Sequence, residues 1–214
     1  MRFPAAVLVL VLAIAGAALA ADTAPATAPT PGPKNDAGLT ATLIANKDTY
    51  VLNPGQSGKA FRDSLDQMKN NRGGRRGMGM GGAGGGSLPA PPQVDMVLRI
   101  TNTTDKDITI GTGGDDSQIN LKLEGPGAVS MENLVAMTME FRISKQTTLA
   151  PGKTLDIKVA SLAYGMRGIS QHAYWTEPGE YTLTATLTYG TPDGQQDKVS
   201  SSPTKVKVEA PKAE

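Results

Sequence analysis

Three features of this 214-residue sequence predict an all-β fold, an antiparallel sandwich of two sheets. From Tyr181 to Tyr189 the odd positions (Tyr181, Leu183, Ala185, Leu187, Tyr189) are apolar or aromatic and the even ones (Thr182, Thr184, Thr186, Thr188) carry hydroxyls. A strand of strict period two has one face against a core and one toward water. About eight such short stretches recur, with turn signals such as Asn53-Pro-Gly55 and Pro178-Gly179 between them. Helical periodicity is confined to one stretch, and there is no internal repeat.

The chain opens with Met1-Arg2, an apolar run from Val7 to Ala18, and Ala18-Leu19-Ala20 before Ala21. That order fits a cleavable secretory leader over 1–20; the apolar run is shorter than the roughly 20 residues a membrane span needs, and a retained anchor is the second reading. Residues 21–37 are Ala, Thr and Pro-rich with little to bury, and read as a disordered tether. The sandwich is expected over 38–209, with an insertion at 56–92, and 210–214 is expected as a disordered tail.

Within the sandwich, Leu39, Ala41 and Leu43 alternate with threonines, Asn46-Lys-Asp48 turns the chain, and Tyr50 and Leu52 complete an opening strand pair. Phe61, Leu65 and Met68 are at helical spacing, which predicts one amphipathic helix over 59–70. The Gly-rich run around Arg72, Arg75 and Arg76 has few side chains to offset its ordering entropy, so 71–92 is expected to be disordered. Val94, Met96, Leu98 and Ile100 form a strand, Asn102 to Asp107 a turn, and Ile108 with Ile110 the returning strand. Further strands are expected at Ile119, Leu121 and Leu123; at Met137, Met139, Phe141 and Ile143; and at Leu155, Ile157 and Val159. The strand from Tyr181 is the expected centre of the fold. The last strand, ending at Val206 and Val208, carries Pro203, Lys205 and Lys207, which suits an edge. Together these read as an immunoglobulin-like Greek-key sandwich, with an open barrel as the alternative.

Composition narrows the function classes. Removing Arg2 with the leader brings the 21 basic residues level with the 20 acidic ones, so no global charge draws the chain to nucleic acid. With no Cys, disulfides, thiol catalysis and thiolate metal sites are excluded, and the domain stands on its core alone.

The runs Leu98-Arg-Ile-Thr-Asn-Thr-Thr-Asp-Lys-Asp-Ile-Thr-Ile110, Thr148-Leu-Ala-Pro-Gly-Lys-Thr154 and Glu177-Pro-Gly-Glu-Tyr-Thr-Leu-Thr-Ala185 resemble bacterial immunoglobulin-like modules, in particular the intracellular proteinase inhibitor type. The chain is also similar to uncharacterised exported bacterial proteins with an Ala/Pro tether. The resemblance implies a sandwich fold; the leader and the Gly-rich insertion depart from the inhibitor type.

No catalytic constellation stands out. His172, the single His, lies two residues from Ser170 without an elbow motif or an orienting carboxylate. Asp115 and Asp116 sit in a flexible, oxygen-rich stretch but meet no calcium-loop spacing. No catalytic residue, metal or cofactor is assigned. The segment Tyr164 to Trp175 offers Tyr164, Arg167, His172, Tyr174 and Trp175 as partner-binding residues, types common where proteins grip partners. It reads as a connection before the central strand, and large aromatics there also suit a filled sandwich. The expected protein is an exported, periplasmic or extracellular monomer, a non-enzymatic interaction or structural module of the cell envelope. Its partner is expected to be an envelope protein or polymer, with no nucleic acid. A proteinase inhibitor presenting a loop is the alternative.

Overall fold

The computed structural model describes residues 29–73, 88–115, 117–134, 142–166 and 169–211. The fold is an all-β sandwich with one α-helix. One sheet pairs β1 (Leu39–Ala45), β3 (Gln93–Asn102) and β8 (Thr154–Ser161) in the order β1-β3-β8. The facing sheet is built on β11 (Gly179–Gly190), the strand of strict alternation. On one side β11 pairs with β5 (Gln118–Glu124); on the other it pairs with β13 (Thr204–Glu209) and β12 (Gln196–Ser200). The ribbon of β4 (Ile108–Thr112) and β7 (Lys145–Leu149) joins its far end at Gly190.

The period-two readings account for the core between these sheets. Leu39, Ala41 and Leu43, Met96, Leu98 and Ile100, Leu121 and Leu123, and the odd positions from Tyr181 to Tyr189 are all buried in one cluster. Each strand turns every second side chain inward. The turn after β3 is plugged by Asn102, which is fully buried. Its Nδ2 donates to the carbonyls of Lys106 (2.7 Å) and Leu149 (2.8 Å), and its Oδ1 accepts from the Thr104 amide (2.9 Å).

Two expectations about strands change. The final strand is not an edge: β13 lies between β11 and the short parallel strand β2 (Thr49–Val51), so Lys205 and Lys207 stand on a paired strand. Of the strand expected at Met137, Met139, Phe141 and Ile143, the first three lie outside the described residues. Ile143 belongs to no strand and is 86% exposed. The helix α1 runs from Gly58 to Gly73, longer than the periodic stretch predicted; the run that follows it, 74–87, lies outside the described residues.

A third sheet was not foreseen. β6 (Ala128–Leu134), β10 (Ile169–Trp175) and β9 (Ala163–Met166) pair antiparallel with β10 in the middle. Of the segment from Tyr164 to Trp175, the described residues 164–166 and 169–175 are therefore paired strands and not a loop, because both edges of β10 find partners. α1 packs on this sheet: Leu65, Leu88, Met131 and Tyr174 form a second buried cluster, with Phe61, Met68 and Val129 packed against it.

The segments flanking the sheets also make specific contacts. The Gly32 amide donates to the Ala41 carbonyl (2.7 Å), and Asn35 Nδ2 donates to Tyr189 Oη (2.9 Å) and the Lys198 carbonyl (3.0 Å), which covers part of β1's outer edge. Gly32 lies so close to Ser200 and Ser201 that a Cβ there would meet their backbone. Among the described residues no helix is long and apolar enough to cross a membrane.

Candidate functional site

The corner where β10 turns into β11 fixes the geometry around the predicted residues. Tyr181 directs its hydroxyl back to the Glu177 carbonyl (2.8 Å) and to the Pro126 carbonyl. This is the tyrosine corner of immunoglobulin-like sandwiches, a Tyr at a strand start bonded to the backbone a few residues upstream. Burial pushes the Tyr181 phenol up to about 12. The Tyr181 ring also leaves no room beside Gly125, whose φ is +150° and where a Cβ would lie 2.6 Å from it. Arg62 of α1 pairs with Glu177, and the Gly58 amide donates to the Thr176 carbonyl (2.7 Å), so the helix start is fastened to the same corner.

The predicted partner-binding residues are divided among different environments. Tyr174 is fully buried under α1; its hydroxyl donates to the Pro89 carbonyl (2.7 Å) and its ring meets Phe61 edge-on. Trp175, one residue on, points to the opposite face and packs in the main core beside Tyr50 (5.2 Å) and Tyr181 (6.0 Å). Both are buried, and both border a pocket of about 420 Å³ together with Tyr50, Gln56 and Pro91. His172 is half-buried on the helix side, with Nδ1 3.2 Å from Tyr174 Oη. Arg167 lies outside the described residues, as does Asp116. Among the described residues no three acidic or His side chains converge.

Tyr164 lines a separate open concavity. It is half-buried, and burial raises its phenol while a hydrogen bond with Ser130 opposes the shift. It borders a cleft of about 540 Å³ between β5 and β8. Ile119, Leu155 and Ile157 line the walls, half-buried, and Leu121, Val159 and Leu187 are the buried side chains behind them. Among the described residues β8 pairs only with β3 and β5 only with β11. Each wall therefore presents unpaired backbone N–H and C=O groups beside an apolar floor. At the rim, Asp156 is held by Arg99 in two bonds (2.7 and 2.8 Å), whereas Lys158 has no ion-pair partner among the described residues.

Sequence reasoning placed Ile119, Leu155 and Ile157 in the core, since their alternation is that of any inward-facing residue. Nothing in the pattern separates a wall of a filled sandwich from a wall of an open one; only the missing pairing between β5 and β8 does.

No protein-family model matches the chain, and no curated protein matches it. Among solved structures it is similar to part of native alpha-2-macroglobulin from Escherichia coli, in a crystal structure spanning the residues from domain MG7 to the C-terminus. The identity is 19% and the TM-score 0.27, over 58% of this chain and 16% of that one.

Proposed function

We propose that this chain is an exported, non-catalytic β-sandwich that acts as an interaction module of the cell envelope, gripping an extended segment of a partner protein in the cleft between β5 and β8. The leader-like 1–20 segment supports export to the periplasm or beyond. The cleft carries the binding reading, because two strand edges with unpaired main-chain groups flank an apolar floor. An added strand satisfies those groups and directs alternate side chains onto Ile119, Leu155 and Ile157. Uncompensated Lys158 at the rim favours a segment with an acidic residue at an outward position. Lys122 and Lys158, facing outward on β5 and β8, also discourage indiscriminate pairing of these edges.

The inhibitor alternative is disfavoured by β10. A loop presented to a proteinase needs a free backbone, and β10 bonds to β6 on one side and β9 on the other. The test is site-specific photo-cross-linking of the chain 21–214 in envelope extract. A photoreactive residue at position 119 or 157 should capture one defined partner, and Lys158→Glu should weaken capture. A photoreactive residue at 205, on the other side of β11, should capture none. Equal cross-linking from 119, 157 and 205, or none from the cleft positions, would overturn the reading.

A further inference from the structure

A second concavity, of about 360 Å³, opens on the hydroxylic face of β11. Its floor is two cross-strand rows, Thr184 opposite Lys122 and Thr186 opposite Asn120. Its wall comes from the third sheet: Ser130 on β6, Tyr164 on β9 and Gln171 on β10, where Gln171 stands opposite Tyr164. Three strands of one sheet and two of another thus bring polar side chains to one place, at the lower end of the roughly 300–1,000 Å³ range of small-ligand sites.

The chemistry of the lining is specific. It consists of two carboxamides (Asn120, Gln171), three aliphatic hydroxyls (Ser130, Thr184, Thr186), one phenol and one ammonium. The one charged lining group, the Lys122 ammonium, is matched by Glu124 at 2.7 Å, and the Glu132 carboxylate stands opposite Gln171 on β6, outside the lining. Some of the groups are already engaged: Asn120 Oδ1 accepts from Gln118 (2.6 Å), Thr186 shares a bond with Ser200 (2.8 Å), and Tyr164 bonds Ser130. The side chains of Gln171 and Thr184 are half-buried and make no hydrogen bond with other described residues. A carboxamide supplies donors and an acceptor together, and a hydroxyl supplies one of each kind. The Gln171 carboxamide and the Thr184 hydroxyl, both uncharged and set among polar groups already engaged, match a neutral ligand dense in groups that both donate and accept.

We propose that this concavity is a binding site for a neutral saccharide, a short stretch of uncharged glycan seated on Thr184 and Gln171 with Asn120 and Thr186 beside them. Thr184 and Thr186 lie two residues apart on β11, so both hydroxyls stand on the face that floors the concavity. The site is separate from the β5–β8 cleft in its lining, apart from Leu121 and Tyr164, which border both. It does not depend on that cleft's occupant.

The experiment is NMR titration of the chain 21–214 with three neutral hexasaccharides: β-1,4-linked glucose, α-1,4-linked glucose and β-1,4-linked N-acetylglucosamine. At least one should shift the amides of Asn120, Ser130, Gln171 and Thr184 in a saturable way, leaving those of Leu155 and Ile157 unmoved. Gln171→Ala should weaken that binding about fivefold to tenfold, the loss expected of one or two neutral hydrogen bonds. Thr184→Val keeps the shape and removes the hydroxyl, and should weaken binding severalfold without changing the thermal midpoint, which guards against a folding artefact. The proposal is overturned if no hexasaccharide shifts these amides at millimolar concentration. It is equally overturned if Gln171→Ala and Thr184→Val bind as tightly as the unaltered chain. Failure at Ile119 and Ile157 in the cross-linking test leaves these outcomes unaffected, so the two sites are judged separately.

Discussion

β10 and β11 follow one another in the chain, joined through Thr176, Glu177 and Pro178, and each is the middle strand of its own sheet. They are nonetheless built on opposite plans. β11 buries its odd side chains and turns its threonines outward, so one face is dry and the other polar. β10 buries side chains on both faces: Ala173 and Trp175 enter the core between the sheets, while Tyr174 enters the cluster under α1. Between them these two strands show that alternation of apolar and polar residues marks a strand with one dry face, and that a strand serving two cores carries no such mark.

The comparison can be broken most directly with adjacent residues. On β10, Trp175→Ala and Tyr174→Ala should each destabilise the chain by about 3–5 kcal/mol, since both rings are buried, in different clusters. Urea titrations of the two variants should give similarly lowered midpoints; a Tyr174→Ala midpoint within about 1 kcal/mol of the unaltered chain would put that face of β10 in water. On β11 the neighbours should differ. Leu183→Ala should cost about 2–5 kcal/mol and Thr184→Ala under about 1, so equal melting temperatures for this pair would reverse the facing of the strand.

The start of β11 adds a pH-dependent difference. The Tyr181 phenol ionises near 10 in an unfolded chain and at about 12 in the fold. The unfolded chain therefore loses that proton first as pH rises. The stability held by the neutral phenol is complete below pH 10 and is lost between about pH 10 and 12, on the order of 2 kcal/mol for this residue. Tyr189, at the other end of β11, is shifted upward by burial and its bond to Asp197, and steepens the same fall. Tyr181→Phe should flatten part of the slope measured from thermal midpoints between pH 9 and 12. An unchanged slope would mean that the corner hydroxyl is not held as described.

These expectations rest on elements that were unequally visible in the sequence. β1, β3, β5, β8 and β11 were legible because each has one dry face, with Leu98, Leu121 or Leu183 repeating every second residue. β7 was not, because Lys145-Gln-Thr-Thr-Leu149 buries only Leu149 and is held by its ladder with β4, including the Thr109–Thr148 hydroxyl pair. β10 was read as a connection because Ser170, Gln171 and His172 break the apolar pattern, although Gln171 and His172 occupy the strand's two different faces. The edge expected at β13 failed because Lys205 and Lys207 point out of the sheet face and leave the strand's hydrogen bonds free for β2. Of the predicted site residues, Tyr164 reaches the cleft between β5 and β8, while Tyr174 and Trp175 border a pocket beside Tyr50 and Pro91. Trp175 and Tyr174 show that residue types favoured at interfaces serve equally well in a core.

A smaller effect sharpens the difference between the two cores. Tyr174→Phe keeps the ring under α1 and removes its bond to the Pro89 carbonyl, which should cost about 0.5–1.5 kcal/mol. Limited proteolysis should show the segment around Pro89 cut more readily in this variant than in the unaltered chain.

Residue-resolved hydrogen exchange of the chain 21–214 tests the open cleft most directly. Along β5 and β8, amides bonded to β11 and β3 should exchange slowly and the alternate ones, facing the cleft, rapidly; along β10, with partners on both sides, protection should not alternate. Slow exchange at every amide of β5 and β8 would show that both edges are already paired, and would contradict a cleft that waits for a partner strand.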